Sequence, residues 1–230
     1  QKILYNVNSG KQMNAFFGHS AAISSASFSP DGRFAISVSE DFTLKKWSIL
    51  KNRCFGTISD FRFHTEAVHC IDFHPSKDLV VTGGDDGVIC ISGLTTLETY
   101  HKSNDFGSPV QTVAVNDQSG VALIGCISGK VQLFSLKNRH RIKEFESKGP
   151  VTVCKFFPKP PTFMWLDALG NVGRLGFGDQ DGFRRWEIGV EGEVHDFLVF
   201  GQKVFLALEM GMVFALDLEA AMAESEIKQN

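Results

Sequence analysis

The 230-residue chain is 43% hydrophobic with a formal net charge of -3, which is ample for a packed core and gives no global argument for nucleic acid. No window approaches 18 uncharged apolar residues, and the opening QKILYNVNSGK lacks a secretory apolar run and cleavage site, so the chain reads as soluble and intracellular, cytoplasmic with the nucleus as second compartment. Its five cysteines, Cys54, Cys70, Cys90, Cys126 and Cys154, are odd in number and contain no CxxC pair, so they read as buried free thiols and exclude a disulfide or zinc framework.

Short apolar strands along the chain end in a recurrent triplet. The triplets are Tyr5-Asn6-Val7, Trp47-Ser48-Ile49, Ser92-Gly93-Leu94, Phe134-Ser135-Leu136, Leu175-Gly176-Phe177 and Leu216-Asp217-Leu218, and their first members lie 42, 45, 42, 41 and 41 residues apart. Shortly before each triplet after the first comes a hairpin signal: Glu40-Asp41-Phe42, Asp86-Gly87, Ser128-Gly129, Leu169-Gly170 and Met210-Gly211. Upstream, alternating segments such as Ala22 to Phe28 and Arg33 to Val38 flank a second turn, Ser29-Pro30-Asp31-Gly32. One period therefore holds four short strands, the blade of an all-β propeller whose sheets pack face to face around a channel.

Residues 2–17 supply two strands, four full blades follow to about Ile188, and residues 192–218 supply three strands more, 21 in all. An unclosed propeller leaves long unpaired sheet edges. The expectation is a propeller domain over residues 1–218, with partial blades at both ends, cut from a parent of about seven or eight blades whose N-terminal part is missing. The tail at 219–230, EAAMAESEIKQN, is expected to be a short helix or a frayed strand, with composition favouring helix.

The stretch GHSAAISSASFSPDGRFAISVSEDFTLKKWS, from Gly18 to Ser48, resembles a full WD repeat, with GH opening it and WS where the family has WD. The resemblance implies that His19, Ser39, Asp41 and Trp47 form the family's hydrogen-bonded tetrad, a structural device. Later repeats are degenerate: Asp86 remains, while Ser92, Phe134, Leu175 and Leu216 replace the tryptophan. Within the superfamily, SPDGRFAISVSEDFTLKKWSI, FHTEAVHCIDF, DDGVICISGLTT and SGKVQLFSLKNR resemble the branch of the angio-associated migratory cell protein and the related fungal ribosome-assembly chaperone. That resemblance implies a propeller holding the basic N-terminal segment of a large-subunit ribosomal protein until it joins the ribosome.

Propeller topology puts the loops between blades and the second-to-third-strand turns at one end. Acids Glu40, Asp41, Asp60, Glu66, Asp85, Asp86, Asp105, Glu146, Glu191, Glu193 and Glu209 fall there, against the bases Arg62 and Lys148, so the remainder of the chain is basic and includes Lys51, Arg53, Lys137, Arg139, Arg141, Arg184 and Arg185. A clustered acidic end speeds encounter with a basic peptide and repels nucleic acid, whereas affinity needs buried anchors, usually aromatic. Phe42, Phe61, Phe63 and Phe106 lie in or beside the same loops and are the candidates, with Asp41 and Asp86 read as turn-locking. Solvated loop acids and core-filling phenylalanines are the competing reading.

Other motifs carry little. Gly125 to Lys130 lacks the spacing of a phosphate loop, and the glycines from Gly170 to Gly178 fall on a hairpin. His64, His69 and His74 recur every five residues, which alternates faces in a strand and reads as chance rather than as a metal site. No nucleophile elbow or paired acid and base is legible, so the chain reads as no enzyme, with no cofactor, metal, membrane or small-molecule substrate. Ser48 and Leu50 depart from the pattern of ubiquitin-ligase adaptors. The leading expectation is a chaperone or escort for a basic protein segment. A scaffold subunit of a multiprotein complex comes second, and an RNA-contacting factor using Arg139, Arg141 and the rest of the basic face comes third.

Overall fold

The computed structural model describes residues 2–29, 31–74, 76–116, 120–158, 161–176, 184–187, 194–200, 203–208 and 213–217. The chain opens on a two-stranded sheet, β1 (Lys2–Tyr5) and β2 (Gln12–Phe16). Four antiparallel four-stranded meanders follow. Blade 1 is β3 (Ile23–Phe28), β4 (Phe34–Ser39), β5 (Leu44–Ser48) and β6 (Arg53–Ile58), and blade 2 is β7 (Val68–Phe73), β8 (Leu79–Gly84), β9 (Ile89–Gly93) and β10 (Glu98–Lys102). Blade 3 is β11 (Val110–Asn116), β12 (Val121–Cys126), β13 (Lys130–Ser135) and β14 (His140–Glu146), and blade 4 is β15 (Val151–Pro158), β16 (Pro161–Asp167), β17 (Asn171–Gly176) and β18 (Arg184–Glu187). A three-stranded sheet, β19 (Val194–Phe200), β20 (Lys203–Leu208) and β21 (Val213–Asp217), closes the described chain. The tail at 219–230 lies outside the described residues.

The sheets pack face to face in chain order, with the first strands β3, β7, β11, β15 and β19 meeting in succession. The core is therefore a series of layers between blades. Leu44, Ile58, Phe63, Val68 and Val80 lie in the layer between blades 1 and 2, Val81, Ile91, Val113 and Ile124 in that between blades 2 and 3, and Leu123, Val131, Phe163 and Trp165 in that between blades 3 and 4. A sheet covered on both faces has no polar side to show, which is why VALIGC in β12 is buried at every position. Outer strands sit at the rim, and HRIKEFE in β14 is exposed at all but Phe145. Backbone bonds to side chains tie adjacent inner strands: the Val115 amide donates to Asp72 Oδ2 at 2.7 Å and the Cys154 amide to Thr112 Oγ1 at 2.8 Å.

The repeat is visible in backbone irregularities as well as in side chains. A register shift falls near the start of the first strand in every blade, at Ile23/Ser25, Val68/Cys70, Val110/Thr112 and Val151/Val153, and again at Val194/Asp196. Such a bulge increases local twist and re-aims the strand. The second-to-third-strand turns carry a left-handed residue at the same place in each blade: Phe42, Gly87, Gly129 and Gly170. At the opposite end, the third-to-fourth-strand turns use Gly10, Asn52, Leu97 and Arg139 in the same way.

The thiols divide. Cys70, Cys90, Cys126 and Cys154 are buried, and burial pushes the Cys126 thiol up to about 11. Cys54 is exposed, against expectation, because it lies on the outer strand β6, which no neighbouring blade covers.

Candidate functional site

In blade 1 the Trp47 indole N–H donates to Ser37 Oγ at 2.8 Å, Ser37 Oγ lies 2.7 Å from His19 Nε2, and His19 Nδ1 lies 2.8 Å from Asp41 Oδ2. With the indole as donor, the Ser37 hydroxyl donates to Nε2 and the Nδ1–H to the carboxylate, which fixes the neutral tautomer of His19. The serine of this network is Ser37, not Ser39. Ser39 Oγ instead donates to the Ala22 carbonyl at 2.6 Å and accepts from the Asp41 amide. Both serines point to the same side of β4, and the register of β4 against β3 decides which one faces the imidazole. Gly18, at φ 147, lets the indole come within 3.3 Å of where a Cβ would stand.

Burial lowers the pKa of His19 and outweighs the opposing pull of Asp41. Burial raises that of Asp41, but hydrogen bonds from Thr43, the Ser20 amide and His19 together bring it down to about 2.

Blade 2 rebuilds the network without tryptophan. His64 Nδ1 lies 2.8 Å from Asp86 Oδ1 and Nε2 lies 2.9 Å from Thr82 Oγ1. The spacing of His64 from His69 and His74 carries no information, but its spacing from blade 1 does: His64 sits 45 residues after His19, as Thr82 does after Ser37 and Asp86 after Asp41. Position by position, Gly18 and Trp47 become Phe63 and Ser92. The aromatic ring has changed sides, and Phe63 stands edge-on to the His64 ring at 4.8 Å, as Trp47 stands edge-on to that of His19 at 6.0 Å. Phe63 is consequently 0% exposed and is core, not a partner anchor.

Blade 3 has Phe106, Ile124 and Phe134 at the three equivalent positions, and the rings of Phe106 and Phe134 meet edge to face at 6.4 Å. Phe106 is half-buried against the layer between blades 2 and 3. Blade 4 relies on one fully buried carboxylate. Asp167 accepts from Ser147 Oγ at 2.7 Å, from the Leu169 and Asn171 amides at 3.0 and 2.9 Å, from the Gly149 amide and from the Asn171 side chain.

The His19–Asp41, His64–Asp86 and Ser147–Asp167 bonds each join an interblade loop to a second-to-third-strand turn, so both loop sets share one end of the molecule. Glu40, Glu66, Asp105 and Glu146 are exposed there, and Asp60 and Asp85 are half-exposed. Several are already engaged: Asp60 Oδ1 accepts from the Arg62 amide, Asp105 Oδ1 from the Gly107 amide, and Asp85 meets His69 Nε2 at 2.7 Å. Asp41 and Asp86 lie inside their networks. Lys102, a strand residue omitted by counting loops alone, reaches Asp86 at 3.2 Å. Glu191, Glu193 and Glu209 lie outside the described residues.

Among the apolar side chains at this end, Phe61 is 89% exposed and Phe42 is 47% exposed. Ile127 and Leu169 are exposed on the turns of blades 3 and 4, and acid counting does not find them. At the opposite end Lys51, Arg53, Lys137, Arg139 and Arg141 are all exposed, and Arg141 is paired with Glu144 at 2.6 Å. Among the described residues no cluster of His, Cys, Asp or Glu suits a metal ion, and no helix is long and apolar enough to cross a membrane.

Radially packed four-stranded sheets with this loop geometry define a β-propeller. The solved structure of U3-55K is similar over 88% of this chain and 63% of its own, with a TM-score of 0.78 at 14% identity. Residues 10–48 and 54–91 match the model of the WD domain, G-beta repeat. Relatives include the striatin homolog of Dictyostelium discoideum, 32% identical over 38% of this chain and 11% of its own, and pre-mRNA-processing factor 19 of Bos taurus, 24% identical over 67% of this chain and 31% of its own. The chain thus spans about a tenth of the first and under a third of the second.

Proposed function

We propose that this is a non-catalytic protein-interaction propeller whose acid-bearing loop end captures an extended basic segment of a partner, with Phe42 and Phe61 as anchors. The carrying observation is Phe42. At the equivalent left-handed turn position the other three blades use glycine, while blade 1 holds a half-exposed phenylalanine at φ 66. A bulky residue there costs on the order of 1–2 kcal/mol, and about half of the ring is left open to solvent. Glu40 beside it, with Asp60, Glu66, Asp85 and Asp105 on neighbouring loops, supplies the field that draws and orients a cation-rich chain.

The resemblance to the ribosome-assembly branch supports a chaperone or escort role for a newly made basic protein in cytoplasm or nucleus. The WD-repeat relatives support the broader role of scaffold. Salt titration of a fluorescent lysine- and arginine-rich peptide separates the readings. Binding that weakens steeply with salt and drops at least about tenfold in a Glu40→Lys, Glu66→Lys double variant supports capture by the acidic end. Binding indifferent to that reversal, or RNA retention that depends on Lys51, Arg53 and Lys137, overturns it.

A further inference from the structure

A groove of about 680 Å³ runs along the rim between blades 2 and 3, from the interblade loop at Asp105 to the turn at Arg139. Its wall is the blade 2 face of β13, where Lys130, Gln132 and Phe134 alternate inward; His101 of β10 stacks on Phe134 at 6.3 Å. Gln132 is 1% exposed. Its Nε2 donates to Glu144 Oε2 at 2.9 Å, and Arg141 holds that same oxygen at 2.6 Å, so the orientation of the amide is fixed. The leftover atom, Gln132 Oε1, lines the groove buried and without a hydrogen-bond partner among the described residues, as does His101 Nε2. A buried acceptor without a donor is costly, and one whose amide is held by its neighbours on the groove wall is preorganised for an incoming N–H.

Charge selects the occupant. Glu144 is taken up by Arg141 and Gln132, and Asp105 by its own loop, whereas Lys130 at one end and Arg139 at the other face the groove as separate cations. Arg139 is exposed and held left-handed at φ 58 in a turn whose counterparts are Gly10, Asn52 and the core-packed Leu97. Arg139 lies just past the Ser135–His140 pair, so the two cations are about five to six strand residues apart, roughly 17–20 Å, and match acidic side chains at positions i and i+6 of an extended peptide. A continuous polyphosphate fits less well, because the two carboxylates lie between and beside the cations.

We infer that this rim groove is a second binding site, separate from the loop end, for an extended acidic peptide. Its paired carboxylates meet Lys130 and Arg139, and a backbone or side-chain N–H donates to Gln132 Oε1. The test is to pan a random heptapeptide phage library on the full chain and measure the enriched peptides by anisotropy. Clones with acids at their first and last positions, six apart, are expected. Their affinity should fall at least about tenfold in Lys130→Glu and in Arg139→Glu, both surface changes that leave thermal unfolding in place, and about five- to twentyfold in Gln132→Leu. Capture should survive Glu40→Lys and Glu66→Lys, which separates this site from the acidic end. The inference is overturned if no acidic clones emerge, if their binding ignores all three groove variants, or if oligouridylate RNA displaces them with the same dependence on Lys130 and Arg139.

Discussion

Blades 1 and 2 lock their loop ends with polar networks, whereas blade 3 does it with apolar rings and blade 4 with one carboxylate. His19, Ser37 and Asp41 recur as His64, Thr82 and Asp86, but the same backbone turn is held in blade 3 by Phe106 against Phe134 and in blade 4 by Asp167. The strand bulge and the left-handed turn residue persist through all four. The blade therefore depends on burying two sheet faces and closing four turns, and several chemistries satisfy the loop end equally. Where the network is polar, the loop tips are acidic. The apolar lock of blade 3 and the single-carboxylate lock of blade 4 instead present Ile127 and Leu169 at their turns.

The largest expected effect is at the single hub. Asp167→Ala leaves several buried amides of blade 4 without an acceptor and should cost about 3–5 kcal/mol in urea unfolding. Asp41→Ala, whose partners lie nearer the surface, should cost less, about 1–3 kcal/mol. Equal costs would erase the distinction between one hub and a distributed network.

Exchanging the aromatic residue sharpens the contrast between blades 1 and 3. Trp47→Phe removes one buried donor from Ser37 and should destabilise by about 1–2 kcal/mol. Phe134→Trp should not stabilise, because Ile124 offers its indole no acceptor, and the added volume should cost about 1–3 kcal/mol. A stabilised Phe134→Trp chain, in thermal unfolding, would show that blade 3 lacks only its tryptophan.

A smaller effect follows from pH. Burial holds the His19 pKa below its unfolded value near 6.5, so the unfolded chain takes up that proton first and stability falls as pH drops below about 6.5. Asp41 and Asp86, depressed to about 2, contribute stability above the unfolded carboxylate pKa that is lost as pH falls from about 4 through 2. His19→Gln should flatten the upper limb and trim from the lower one only the part of Asp41's depression that His19 supplies, leaving that of Asp86. Burial and the charge of Arg139 lower His101 as well, so part of the upper slope should remain. An unchanged slope would remove His19 from the account.

The period, the turns and the four-strand blade were legible because glycine, aspartate and alternating apolar residues answer to local geometry. The tetrad was legible except for its serine: Ser37 and Ser39 have the same parity on β4, and only strand register tells them apart. Phe63 was misassigned because its burial depends on Ser92, distant in sequence, having given up an aromatic ring. Cys54 was misassigned because an outer strand can carry the same residues as an inner one. The groove at Gln132 was not legible at all, since it needs two blades and a fixed amide orientation.

Phe42→Gly tests the central claim most directly, because it removes the anchor and the left-handed strain together. Unfolding should show stability unchanged or raised by up to about 1 kcal/mol, while binding of the basic peptide falls at least about tenfold. A variant that loses stability and keeps its affinity would show that Phe42 serves the fold and that the acidic end captures nothing through it.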